Sequence, residues 1–374
     1  MRILILSCHT GEGHNMAGKA IAEAAEARGH EAVQMDIMML SGRTTSRMVG
    51  GAYVKIVQHI PAFFRFLYWI GGVISSPKRK SPVYYANALL AKPLARFLEE
   101  NPFDAIVTCH LYAAETLTYM KKKGMLSQKF ISVQTDYTCI PFWEETECDY
   151  YVIPHPDLAE EYASRGIPRE KLLPYGIPVR RMFRGTLDRE LARRRCNLPP
   201  EKPVFLVMSG SMGFGKIQLF VPELAKSCKA GEQIVIICGN NRRLERLLRR
   251  LYHSNPNIHV RGFVRRVGEY MDACDVLFTK PGGLTSTEAA VKNIPIVHTS
   301  PIPGCEERNQ EFFSSRRMSI AARGLREQIQ AGQWILTEDG LKERMRQAQR
   351  ENVRPRAADE IVTLLARLSA EEKG

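Results

Sequence analysis

Two glycines followed by a run of hydroxyl side chains, Thr279–Ala290 read as TKPGGLTSTEAA, have the makings of an anion site. A short apolar strand (Val276, Leu277, Phe278) enters a Pro281-Gly282-Gly283 turn, and a helix is expected to open at Thr285-Ser286-Thr287-Glu288. Gly282 and Gly283 lack the Cβ atoms that would hold a ligand off the backbone. Unpaired N–H groups at a helix start, backed by the positive end of the helix dipole, suit a phosphate or pyrophosphate. Glu288, about one turn further in, suits ribose hydroxyls instead. The plainer reading of the same letters is an αβ turn closed by a capping box, Thr285 to Glu288.

Two other residues are placed to move a proton. His14 ends the loop Thr10-Gly11-Glu12-Gly13-His14, after the apolar run Arg2–Cys8 and before an Ala-rich stretch. A histidine near a helix N-terminus has its cationic form disfavoured, which keeps it a neutral base. Its plainer role is a cap or a solvated side chain. Asp136 lies just past the expected strand Phe130–Thr135, where open α/β sheets collect their chemistry. Its plainer role is an Asx turn.

Positioning such groups requires strands and helices in alternation. Arg2–Cys8, the Ala-rich stretch and Glu31–Asp36 read as a βαβ unit. A nicotinamide or flavin fold with Asp36 on the ribose fails at the third glycine of its fingerprint, where Met16 stands. A helix over Tyr84–Asn101 and strands at Ala105–Cys109, Phe130–Thr135 and Asp149–Ile153 continue the pattern. Tyr175–Arg184 interrupts it with Gly, Pro and arginines, and Val204–Met208 starts a fresh strand. Ser209–Gly215 is a second glycine-rich loop, neither a GxGxxG nor a Walker P-loop. A strand at Ile234–Cys238 precedes the basic helix Arg242–His253. Phe263 follows a strand where an aromatic ring can stack on a base, and the loop Pro301–Gln310 carries carboxylates, Asn and Gln suited to hydroxyls. The length of 374 residues implies two domains. These are residues 1–178 and 179–355, with a C-terminal helix in 356–374 expected to pack back on the first.

The net charge of +13 calls for an anionic partner: nucleic acid, an acidic membrane surface or a phosphorylated substrate. The cations do not alternate with stacking aromatics, which argues against nucleic acid. Within 43–80, the stretch AFFRFLYWIGGVI is flanked by Arg43, Arg47, Lys78, Arg79 and Lys80, with Arg65 inside it. An aromatic, basic segment too short to span reads as an interfacial membrane element, a core helix pair being the plainer reading. Nine cysteines without CxxC or His-paired spacing indicate neither a disulfide framework nor a zinc site, and fit a reducing cytosol. Met1–Ser7 lacks a following small-residue cleavage site and reads as a strand, not a signal peptide. No Asp-x-Asp stands on a loop, which argues against an obligatory Mg²⁺ or Mn²⁺ clamp.

Seven segments in order, GEGH, TDYTCIPFW, SGSMGFGK, CGNN, RGFV, TKPGGLTSTEA and PGCEERNQ, resemble those of a known family. It is the monogalactosyldiacylglycerol synthase and processive diacylglycerol glucosyltransferase family, related to the peptidoglycan GlcNAc transferase. The resemblance implies an α/β GT-B fold: two Rossmann-like domains whose parallel sheets face a central cleft. It implies inverting transfer of a hexose, glucose in preference to galactose, from a UDP-sugar to 1,2-diacylglycerol, without an obligatory cofactor. A polyprenyl-linked or soluble acceptor is the alternative. Catalysis is implied at His14 and Asp136. Donor contacts are implied at Gly13, Ser211, Met212, Gly213 and Asn240, with Phe263 and Val264 around uracil. Gly282, Gly283, Leu284, Thr285 and Glu288 would hold diphosphate and ribose, and Glu307 and Asn309 the sugar hydroxyls. Plant relatives have Gly-Gly-Gly-His where this chain has Gly-Glu-Gly-His, so Glu12 adds a carboxylate at the acceptor end. The enzyme would sit peripherally on the cytoplasmic face of the membrane, held by the segment 43–80.

Overall fold

Ile3, Leu4, Ile5 and Leu6 are completely buried in succession, although neighbouring strand residues point to opposite faces. Only a strand covered on both sides accommodates that, which is the condition of a parallel sheet. The computed structural model describes residues 1–8, 12–42, 71, 75–77, 79–208 and 217–372. The loop Ser209–Gly215 lies outside the described residues, as does most of the aromatic and basic segment 43–80.

Contacts divide the chain into two units. The first comprises Met1–Arg181, Pro303–Cys305 and Arg354–Gly374, and the second Met182–Ile302 and Glu306–Val353. The sheet of the first unit is formed by β1 (Arg2–Ser7), β2 (Glu31–Asp36), β3 (Ala105–Thr108), β4 (Phe130–Val133), β5 (Tyr150–Val152) and β6 (Leu172–Leu173). Their order is β2-β1-β3-β4-β5-β6, all parallel. The chain steps from β1 to β2 on one side and then crosses to β3 on the other, so the topological switch point lies between β1 and β3.

Helix α1 (Glu12–Glu26) packs Ala17, Ile21, Ala24 and Ala25 against this sheet. The close approach that the dinucleotide fingerprint places at its third glycine is made here by Gly18. A Cβ there would stand 2.8 Å from Gln34 Nε2 and 3.1 Å from Ile5 Cγ2. Asp36 caps the turn Ile37–Ser41, its Oδ1 accepting from Met38 N at 2.9 Å.

The single helix expected over Tyr84–Asn101 is broken at Leu89–Leu90 into α2 (Pro82–Ala88) and a second piece, Ala91–Glu100. Helix α3 (Leu111–Lys122) packs on α2 through polar contacts: Asn87 Nδ2 donates to Glu115 Oε2 at 2.5 Å, and Thr116 Oγ1 donates to Asn87 O at 2.9 Å. Glu115 is fully buried and its Oε1 has no partner. Burial pushes its carboxyl up to about 8, the Asn87 amide opposing and Glu145 adding to the shift.

The second unit repeats the arrangement. Strands β7 (Val204–Met208), β8 (Gln233–Ile237), β9 (Ile258–Arg261), β10 (Val276–Thr279), β11 (Ile296–His298) and β12 (Ile320–Ala321) are ordered β12-β11-β10-β7-β8-β9, all parallel. Its switch point lies between β7 and β10. Helices α4 (Arg242–Leu251), α5 (Gly283–Val291), α6 (Cys305–Ser315) and α7 (Leu325–Thr337) follow strands of this sheet. Phe278 is buried at the centre of the core, its ring 5.6 Å from Phe205 and 5.0 Å from Phe220.

The last helix, α8 (Ala357–Glu371), returns to the first unit. Ile361, Val362, Leu364, Leu365 and Leu368 join Ile3, Ile5 and Ile21 in one apolar cluster. At roughly 1.5–3 kcal/mol per fully buried side chain, an upper estimate, that contact is a large part of the unit's stability. Lys129 Nζ pairs with Glu371 at 2.8 Å and Arg28 Nη1 donates to Thr363 Oγ1 at 2.7 Å. At Gly176 the backbone takes φ +95°, where a Cβ would also meet Arg354 Cβ at 3.2 Å.

Candidate active site

In the first unit the catalytic candidates gather at the C-terminal ends of β1, β3 and β4. Helix α1 starts at Glu12, so Gly13 and His14 lie inside its first turn and not in a preceding loop. His14 Nδ1 is 2.8 Å from Cys109 O, just past β3, and 3.0 Å from Thr135 Oγ1, just past β4. A carbonyl only accepts, so Nδ1 carries the hydrogen, the Thr135 hydroxyl oxygen shares it, and Nε2 keeps its lone pair. Burial holds the His14 pKa below the ordinary histidine value, while the Asp136 charge and the Cys109 carbonyl pull it upward. The ring is therefore neutral at pH 7. The His110 ring meets it edge-on, centroids 4.7 Å apart at 80°. His110 caps α3, its Nδ1 accepting from Tyr112 N at 3.2 Å. Burial, and secondarily the His14 charge, hold its pKa well below the usual range. Asp136 is half-buried two residues past the buried Gln134. Sequence reasoning missed Cys109, His110 and Thr135 as partners of His14. Position alone places them near strand ends: Cys109 directly after β3, His110 one residue on, and Thr135 two residues past β4.

In the second unit α5 opens two residues earlier than expected. Gly282 is the N-cap, with no side-chain cap bond, and Gly283 is the first helical residue. Thr285 thus lies within the first turn, and the Thr285–Glu288 capping box does not form. Ser286 N donates to Gly282 O at 3.0 Å, the first bond within the helix. The N–H groups of Gly283, Leu284 and Thr285 precede that bond, with the positive end of the dipole behind them. Gly282 has φ −70°, which any residue adopts, and a Cβ there would meet Glu306 Oε1 at an ordinary 3.7 Å. Nothing in the described fold demands glycine at that position.

Three side chains fasten the turn before α5. Lys280 Nζ pairs with Glu306 Oε1 at 2.5 Å, Glu306 Oε2 accepts from Ile302 N at 2.8 Å, and Asn309 Nδ2 donates to Pro281 O at 3.0 Å. The segment expected to be a loop over Pro301–Gln310 is helical from Cys305. Glu306 and Asn309, three apart on α6, are buried on one face, whereas Glu307 is exposed. Asn309, expected at the sugar hydroxyls, is buried on α6, and its Nδ2 bond to the Pro281 carbonyl ties that helix to the turn before α5. Glu288 is buried within α5. Phe263, after β9, is 68% exposed, and Val264 beside it is half-buried. Asn240 is exposed after β8, while its neighbour Asn241 caps α4, Oδ1 accepting from Leu244 N at 3.0 Å. Ser211, Met212 and Gly213 lie outside the described residues.

Lys80, one of the cations expected to face a membrane, is half-buried and donates through Nζ to Glu145 O at 2.6 Å. Among the described residues no helix is long and apolar enough to cross a membrane. Among them also, no cluster of three or more His, Cys, Asp or Glu is arranged to hold a metal ion.

Two six-stranded parallel sheets with helices are the architecture of GT-B glycosyltransferases. The structure is similar to MurG of Acinetobacter baumannii, with TM-score 0.65, 16% identity, and coverage of 98% of this chain and 99% of that one. It is also similar to a Neisseria meningitidis UDP-GlcNAc 2-epimerase solved with UDP-GlcNAc, with TM-score 0.61, 13% identity, and coverage of 98% and 100%. Residues 14–179 match the family described as Monogalactosyldiacylglycerol (MGDG) synthase, and residues 204–352 the Glycosyltransferase family 28 C-terminal domain. The chain carries both of these family domains and is a glycosyltransferase. A processive diacylglycerol beta-glucosyltransferase of Bacillus cytotoxicus is 27% identical over 373 residues, covering 97% of this chain and 93% of that protein.

Proposed function

We propose that this enzyme transfers glucose from UDP-glucose to 1,2-diacylglycerol with inversion, giving a β-glucosyldiacylglycerol, and adds further sugars to its own product. The end-to-end similarity to diacylglycerol beta-glucosyltransferases carries this reading. Residues 1–178 would take the lipid and the membrane surface, 179–355 the UDP-sugar, and 356–374 complete the first domain. Through the segment 43–80 the enzyme would sit peripherally on an anionic, cytoplasmic membrane face.

His14 Nε2 removes the acceptor hydroxyl proton as that oxygen attacks C1 of the hexose and the bond from C1 to the diphosphate oxygen breaks. The Cys109 carbonyl and Thr135 hold the ring for this step, and the Asp136 charge stabilises the imidazolium that forms. The charge gathering on the departing UDP is met by the N–H groups of Gly283, Leu284 and Thr285, a site that asks for no obligatory metal. Gly13, Ser211, Met212, Gly213 and Asn240 would complete the donor contacts. Phe263 and Val264 would cover uracil, Glu288 would hold the ribose, and Glu307 and Asn309 would meet the sugar.

Incubation with radiolabelled UDP-glucose or UDP-galactose and diacylglycerol liposomes, followed by lipid chromatography, tests the reading. Label moving to glycosyldiacylglycerol from UDP-glucose supports it. Transfer only to a polyprenyl-linked or soluble acceptor overturns it.

A further inference from the structure

His298 is the last residue of β11 and has no solvent exposure. Both of its ring nitrogens meet serine hydroxyls: Nε2 lies 2.9 Å from Ser286 Oγ, and Nδ1 lies 3.0 Å from Ser319 Oγ. Both serines are buried, and the Phe313 ring closes the side at 5.4 Å. A neutral imidazole has one N–H and one lone pair, whereas a hydroxyl both donates and accepts. The three side chains therefore form one directional chain in which one serine donates to the ring and the other accepts from it. Burial lowers the His298 pKa to about 3, so the chain does not change with pH in the physiological range.

Its attachment points matter more than its chemistry. Ser286 is the residue whose N–H closes the first turn of α5 on Gly282. His298 also sits in register with Thr279 across β10 and β11, and Thr299 N donates to Thr279 O at 2.8 Å. Thr279 is the residue from which the chain leaves for Lys280-Pro281-Gly282. A single buried histidine thus touches the turn at both ends, by backbone register before it and by side chain after it.

We propose that the Ser286–His298–Ser319 chain is a positioning brace that sets the depth and rotation of the α5 N-terminus against the diphosphate of the donor. This rests on the assignment of α5 as the diphosphate site. The brace acts on phosphate and not on the nucleoside, and that difference separates it from a core histidine that only supports folding.

Titration calorimetry of the full-length protein with UDP and with uridine tests it, using His298→Ala, Ser286→Ala and His298→Gln. Glutamine keeps one donor and one acceptor. His298→Ala is expected to weaken UDP about tenfold, the scale of one well-placed hydrogen bond to a charged ligand, and uridine by less than about twofold. His298→Gln should recover part of the loss. Ser286→Ala removes one hydroxyl without emptying the core, and reads the same difference if His298→Ala does not fold. Equal losses for UDP and uridine, or no loss for either, overturn the brace. If the wild-type protein itself binds uridine as tightly as UDP, the diphosphate assignment of α5 falls, and the brace with it.

Discussion

The Nδ1 atom of His14 lies 2.8 Å from the Cys109 carbonyl oxygen, and 95 residues of chain separate the two. The contact fixes the tautomer of a ring that burial already keeps neutral, so Nε2 has a lone pair at pH 7. Among the described residues, no hydrogen bond engages that atom.

Replacing His14 by Ala should lower turnover by roughly 10²–10⁴-fold, the usual contribution of a general base, and leave UDP affinity unchanged. A base works deprotonated, so the rate rises with pH through its folded pKa and is level above it. Because that pKa is depressed, the acidic limb of kcat/KM should lie below the ordinary histidine value of 6.5. Asp136 pulls the pKa upward, so Asp136→Asn should move the limb further toward acid. A limb that moves toward alkaline pH would contradict the arrangement.

Gly282→Ala separates the demands of folding from those of the ligand. Its dihedrals and surroundings accept a Cβ, so the melting temperature should change little. A methyl beside the diphosphate should nevertheless weaken UDP by tenfold or more, on the order of 1.4 kcal/mol. Calorimetry that finds wild-type UDP affinity would remove the turn from the donor site.

Glu115 ties stability to pH. Its folded carboxyl is raised to about 8, so the fold favours the protonated form. This contribution is fully present below the unfolded value near 4.5, declines as pH rises, and is gone once pH passes the folded value near 8. Urea midpoints at pH 5 and pH 8 should therefore fall more for the wild-type protein than for Glu115→Gln. Parallel falls would show that Glu115 does not titrate in this window.

Gly332→Ala reverses the usual sign for a helix interior, where Ala is favoured over Gly by about 1 kcal/mol. A Cβ at Gly332, in α7, would stand 2.3 Å from Phe278 Cζ, and that ring is locked between Phe205 and Phe220. Overpacking of this kind costs about 1–3 kcal/mol, and denaturant unfolding should show a net loss. A stabilised variant would mean that the Phe278 ring can move.

Strands buried on both faces announced themselves, because Ile3–Leu6 and Val204–Val207 are continuous apolar runs that no turn residue interrupts. The two-residue strands β6 and β12 are too short to carry a period and could not be read. The start of α5 was misplaced because hydroxyl residues are favoured N-caps, whereas Gly282 caps with its backbone alone. Asn309 reads as part of a loop because Pro301, Pro303 and Gly304 disguise the start of α6. Once that segment is helical, its spacing from Glu306 turns the amide inward. The Cys109 and Thr135 contacts of His14 were illegible for a different reason: pairings across such distances are set by strand order, which residue types do not encode.

The return of α8 to the first unit has a consequence for the order of synthesis. The first 181 residues emerge without the helix that covers one face of their sheet, and the second unit is made before that helix appears. At about 5–20 residues per second the wait is on the order of 10–40 s. During it Ile3, Ile5 and Ile21 lack their final cover, and transiently exposed apolar surface of this kind favours aggregation. The second unit, contiguous but for three residues, does not wait on that helix.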